Sequence, residues 1–117
     1  MKYLCLVYFE GSRLAALSPD DKRALDRDSL AYDKDLERSG HFIAADALQS
    51  VEQAATVRVR DGKMSVTDGP FAETKEQLGG FILIEARDMN EAIRLAAGIP
   101  LAKLGSIEVR PIYEFCA

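Results

Sequence analysis

The chain has 117 residues, enough for one hydrophobic core and too few for two, so residues 1–117 are expected to form a single domain. It is 48% hydrophobic and 29% charged, an ordinary composition for a globular chain. The net charge of −4 argues against a nucleic acid or an anionic membrane as partner, since both call for a basic surface.

Residues 3–9 form an apolar run rich in aromatic and branched side chains, which reads as a central strand buried on both faces. The run stops at Glu10 with no small-residue cleavage site after it, so it does not read as a signal peptide. No apolar run reaches membrane-spanning length. Residues 10–17 form a connection. Ser18 then caps a helix, with Pro19 at its first position and Asp20 and Asp21 facing the positive end of the helix dipole. Leu25, Ser29, Tyr32 and Leu36 make one narrow stripe on that helix, and Gly40 ends it.

A second, weaker strand follows over residues 41–48. Residues 56–60 and 63–67 flank Asp61-Gly62, the strongest two-residue turn signal, and so predict a hairpin. Its register pairs Val59 with Met64 and Val57 with Val66 on one face, and Arg58 with Ser65 on the other. Residues 81–84 are a further apolar strand. Asp88 and Glu91 make a capping box for a helix that stops at Gly98, and residues 107–112 alternate as a strand that Pro111 confines to an edge. The order is β-α-β-β-α-β, an α+β chain of ferredoxin-like type with an antiparallel sheet. Two helices on one sheet face leave the other face apolar and uncovered. A homodimer packing sheet against sheet would cover it.

The stretch from Thr67 to Gly80 carries more chemistry than a turn requires. Gly69 allows a sharp turn, Pro70 forbids helix before it, and Asp68 is either a cap for its own loop or a group facing a ligand. Glu73 and Lys75 read as a solvated charge run or as polar ligand contacts. Gly79-Gly80 marks a bulge or a close backbone approach rather than a phosphate loop, since no helix follows. His41 is the single histidine. It is a candidate general acid or base if a carboxylate such as Asp68 or Asp46 orients it. Tyr8, Tyr32 and Arg13 are candidate pocket residues, the tyrosines serving equally well as core. Cys5 and Cys116 lie at opposite ends with no metal or redox spacing, which reads as a reduced, cytoplasmic protein. With one histidine a zinc site is not expected, and no nucleotide motif is present, so no cofactor is expected.

The block TDGPFAETKEQL, followed by GGFILIEARDMNEAI and GSIEVRPI, resembles the YCII-related family in its DGPF-domain branch. A weaker match covers MKYLCLVYFE and SGHFIAADAL. The resemblance implies a ferredoxin-like fold forming a dimeric α/β barrel, usually in bacteria. It also implies a cleft in which a His–Asp pair works on a small organic substrate, and a link to extracytoplasmic-function sigma factors. Two readings follow. The first is a small cofactor-free enzyme with His41 and Asp68 as catalytic pair and Lys75, Glu73, Phe71 and Tyr8 around the substrate. The second is a non-catalytic ligand-binding or regulatory module that meets a metabolite or a sigma factor.

Overall fold

The structure, a computed structural model, describes residues 1–115. Cys116 therefore lies outside the described residues. Six strands are formed: β1 (Lys2–Phe9), β2 (Phe42–Ala47), β3 (Ala55–Arg60), β4 (Lys63–Asp68), β5 (Gln77–Glu85) and β6 (Ser106–Pro111). Three helices accompany them, α1 (Gly11–Ala15), α2 (Pro19–Arg38) and α3 (Met89–Ala97), with short 3₁₀ turns at Val51–Gln53 and Pro100–Lys103.

The main sheet is antiparallel, in the order β2-β5-β1-β6. Each helical crossover skips one strand: β1 reaches β2 through α2 with β5 between them, and β5 reaches β6 through α3 with β1 between them. That is the ferredoxin-like arrangement. The hairpin β3–β4 has the expected register, with Val57 opposite Val66 and Val59 opposite Met64. It does not, however, join the main sheet. It forms its own two-stranded sheet, an arm inserted between β2 and β5. The third strand of the main sheet is β5, which begins at Gln77, ahead of the glycine pair.

Local chemistry explains the helices. Ser18 Oγ accepts the Asp21 N–H at 3.1 Å with Pro19 at the first turn, so α2 starts where the cap is. It ends at Gly40, whose φ of +80° suits a residue without Cβ. Asp88 accepts the Glu91 N–H at 2.9 Å, and the Glu91 carboxylate accepts the Arg87 N–H at 2.8 Å. The capping box thus closes one residue earlier than its usual form. The Arg87 N–H bond is the main reason the Glu91 carboxyl is held below its ordinary range. The connection after β1 is not irregular throughout: it contains α1, which buries none of its residues.

Alternation along the strands sorts the sheet into two faces. Tyr3, Cys5, Val7, Ile82 and Ile84 are buried beneath the helices, where Leu36, Ala92, Ala96 and Ile99 meet them. Leu4, Leu6, Tyr8, Phe81 and Leu83 point to the opposite face and stay half-buried, with no layer of the described residues over them. The Cys5 thiol lies in the core, and burial pushes its pKa up to about 11. Among the described residues no helix is long and apolar enough to cross a membrane.

Candidate functional site

The 20-residue α2 fully buries only one side chain, Leu36, close to its C-terminal end. The cause lies in the strands beneath it. At the Leu36 end, β1, β5 and β2 present Tyr3, Ile84 and Phe42, large side chains that fill the space up to the helix. At the other end the same face presents Ala45, Ala47, Gly79 and Gly80. Small residues there leave a gap under the first half of α2, a cavity of about 590 Å³. That is an ordinary volume for a small-molecule site.

The floor is apolar, with Val7, Phe9 and Ile82 from the sheet and Ile99 and Leu101 from the turn after α3. The polar groups come from one side of α2. Lys22, Asp26, Ser29 and Asp33 stand at i, i+4, i+7 and i+11, so all four line the cavity wall. Of the two helix carboxyls, Asp26 is exposed and Asp33 is half-buried. Desolvation raises the Asp33 pKa above the ordinary carboxylate value of 3.8. A carboxyl whose pKa is raised in this way is a stronger base than an exposed one and can take a proton from an acidic hydroxyl. Tyr32, also on the wall, serves the fold instead. Its hydroxyl donates to the Leu95 carbonyl at 2.5 Å and so joins α2 to α3. Its pKa is raised, chiefly by burial and then by the nearby Cys5 and Asp35.

A smaller cavity of about 290 Å³ lies against the first and shares Phe9, Leu14, Lys22, Leu48 and Gly79 with it. Gly79 is the extra residue of a β-bulge, since Val7 pairs with Gly80 and Tyr8 with Leu78. The Phe9 ring occupies the place that a side chain at position 79 would take. Gly80 has a different constraint, as a Cβ there would stand 2.9 Å from the Asp46 carbonyl oxygen.

Of the candidate site residues singled out in the sequence, Tyr32 and Asp46 line the large cavity and the others fall elsewhere. His41 sits at the junction of α2 and β2, its N–H donating to the Leu36 carbonyl at 2.8 Å. Its Nδ1 is 2.7 Å from the Glu85 carbonyl oxygen, which can only accept, so Nδ1 carries the proton and donates. Asp68 ends β4 at the base of the arm, which follows from the far end of β2. A six-residue strand is about 20 Å long, so within one chain the structure does not bring His41 and Asp68 together. Asp46 lies on β2 itself, paired with Phe81; it is exposed and is among the residues that line the large cavity.

The Asp68-Gly69 corner is closed by backbone groups. Gly69, at φ +104°, donates to the Ala54 carbonyl at 2.8 Å, and Thr56 Oγ1 donates to the Gly69 carbonyl at 2.9 Å. Phe71 is 78% exposed and lies under the Arg58 guanidinium, 5.6 Å from its centroid. Glu73 and Lys75 are exposed in the same loop. The loop is anchored by Ser106, which donates to Glu76 Oε1 at 2.6 Å, and by Gln77, which donates to the Thr74 carbonyl at 2.7 Å. Tyr8 is half-buried on the open face, while its neighbours Val7 and Phe9 line the cavity. Among the described residues no group of three or more His, Cys, Asp or Glu side chains is placed to hold a metal ion.

Comparison with known proteins adds three findings. The family model described as the YCII-related domain matches residues 1–116. An uncharacterized protein of Rhizobium meliloti (strain 1021) is 38% identical over 114 residues, covering 96% of this chain and 92% of the relative. Among solved structures, the 5-chloro-2-hydroxyhydroquinone dehydrochlorinase of Burkholderia phenoliruptrix, in complex with 2,5-dihydroxybenzoquinone, superposes with a TM-score of 0.55 at 18% identity, covering 98% of this chain and 96% of the other. At that identity the likeness is one of fold.

Proposed function

The chain belongs to the YCII-related family, and we propose that it is an enzyme that moves a proton on a small hydroxylated ring compound held in the cavity under α2. The observation that carries this reading is the half-buried Asp33 carboxyl on the wall of an otherwise mostly apolar cavity. Asp33 as carboxylate takes the proton of a ring hydroxyl. The electron pair left on oxygen moves into the ring, and protonated Asp33 returns the proton to a ring carbon. The net change is a tautomerisation, with no oxidation or reduction. The substrate class draws support from the structurally similar dehydrochlorinase, which was solved with a dihydroxyquinone bound.

The test uses 2,5-dihydroxybenzoquinone as probe in deuterated buffer. The wild-type protein is expected to bind it and to accelerate exchange of its ring C–H for deuterium. Asp33→Asn is expected to lose about a hundredfold or more of that acceleration, the usual contribution of a positioned acid or base. Exchange at the wild-type rate in Asp33→Asn would overturn the role of Asp33, and absence of binding would overturn the site.

A homodimer is part of the same proposal. Four apolar residues of the arm, Val57, Val59, Met64 and Val66, are 55–71% exposed on one face. An isolated two-stranded hairpin is marginal in water without a surface to cover it. The radius of gyration of 16.2 Å exceeds the roughly 13 Å expected for a compact chain of this length, because the arm stands away from the body. In the dimer we propose, the open sheet faces pack together and each arm lies on its neighbour. Only across two copies can Asp68, with Glu73, Lys75 and Phe71 beside it, approach His41. His41→Ala and Asp68→Ala, measured in the same exchange assay, decide whether that pair takes part.

A further inference from the structure

We infer that the smaller cavity is a second compartment of the same binding site, and that Phe9 is the partition that closes it off from a ring held in the large cavity. The inference rests on the reading that the large cavity holds the ligand. Phe9 lines both cavities, and so do Leu14, Lys22, Leu48 and Gly79, so the two spaces are separated by little more than this ring. The ring is seated by the bulge, since a Cβ at position 79 would overlap it. Glycine at that point therefore lets Phe9 lie on the backbone, between the two cavities. Beyond the ring the smaller compartment is mixed in character: Leu48, Val51 and Leu78 are apolar, and Gln49, Ser50 and Gln77 offer hydrogen-bonding side chains. Once Phe9 is cut back, a fused two-ring hydroxyquinone matches this layout, with its hydroxylated ring in the large compartment and its second ring in the smaller one.

The experiment measures the affinity of wild type, Phe9→Ala, Phe9→Leu and Gly79→Ala for two probes, 2,5-dihydroxybenzoquinone (one ring) and 2-hydroxy-1,4-naphthoquinone (two fused rings). Phe9→Ala is expected to strengthen two-ring binding about tenfold relative to one-ring binding, the scale that extra room in an apolar pocket provides. Phe9→Leu keeps an apolar residue there and is expected to shift the ratio the same way by about threefold, which keeps the test open if the alanine variant does not fold. Gly79→Ala, which displaces the ring from its seat on the backbone, is expected to weaken the one-ring probe about tenfold. An unchanged two-ring to one-ring ratio in both Phe9 variants, with the one-ring probe still bound, overturns the partition and leaves the large-cavity reading standing. Failure of every protein to bind either probe overturns both.

Discussion

The Tyr32 hydroxyl donates to the Leu95 carbonyl at 2.5 Å and stands over Gly98, where any Cβ would overlap the tyrosine ring and its oxygen. One hydrogen bond and one glycine thus join the long helix to the end of α3. Tyr32→Phe keeps the ring and removes the bond, leaving the half-buried Leu95 carbonyl with only the Gly98 N–H, at 3.2 Å. The expected loss is about 1 kcal/mol, measurable by urea unfolding. Gly98→Ala forces the ring aside and is expected to cost about 1–3 kcal/mol, the range of overpacked interiors. Combined, the two substitutions should be non-additive, since they act on one contact.

Asp33 gives a pH dependence whose sign is fixed by the direction of its shift. Its carboxyl is raised from 3.8 by burial, so the folded chain holds the proton more tightly than the unfolded chain. Stability from this group is fully present below 3.8 and is lost as the pH rises through the folded value. Asp33→Asn removes the cost of a buried charge. The variant should therefore be more stable than wild type at pH 7 and match it more closely near pH 3.5, as thermal unfolding across that window would report. The exchange activity proposed above should run the opposite way, rising with pH as Asp33 deprotonates.

The arm predicts a change of assembly without a change of fold. Val59 and Met64 face each other next to the Asp61-Gly62 turn, and neither supports the core of its own chain. Val59→Lys with Met64→Lys is expected to turn a dimer into a monomer by light scattering, with the far-ultraviolet circular dichroism unchanged. Leu6→Lys, on the open sheet face, is expected to do the same. If only Leu6→Lys dissociates the dimer, the sheet face is the contact and the arm is not. A wild-type monomer would show that the arm's partner is not a second copy.

Capping of α3 is testable in isolation. Asp88 is exposed, and its carboxylate accepts the Glu91 N–H. Asp88→Ala should cost about 1 kcal/mol by urea unfolding, and Asp88→Ser should recover most of it.

Short stretches of sequence decide some features by themselves. The caps at Ser18 and Asp88, the turn at Asp61-Gly62 and the apolar runs of β1 and β5 each need only a few neighbouring residues, and each is found in place. The arm's separation from the sheet is not legible in this way, because its alternation is that of any half-covered hairpin and only the pairing of distant strands excludes it. The cavity is hidden for the same reason. It exists because Ala45, Ala47, Gly79 and Gly80 come together from two strands under one helix. A signal is present in α2, where Lys22, Asp26, Ser29 and Asp33 repeat at helical spacing alongside the apolar stripe. They read as solvated surface for any helix that lies flat on its sheet. The charged loop after Asp68 stands out by composition, yet its described bonds serve its own closure and its anchorage to Ser106 at the start of β6.

The position of β1 has a consequence for how the molecule is made. It is the first strand in the chain and lies inside the sheet, between β5 and β6, with Tyr3 opposite Pro111 and Leu4 opposite Leu83. On the ribosome β1 therefore emerges long before either partner, while the arm, closed by a two-residue turn, can form within microseconds of synthesis. The main sheet must wait for β6, and its pairings span almost the whole chain, which places it among slowly folding topologies. A nascent chain halted before residue 106 would carry β1 without its β6 partner, and it should bind a chaperone that the chain extended through β6 no longer needs.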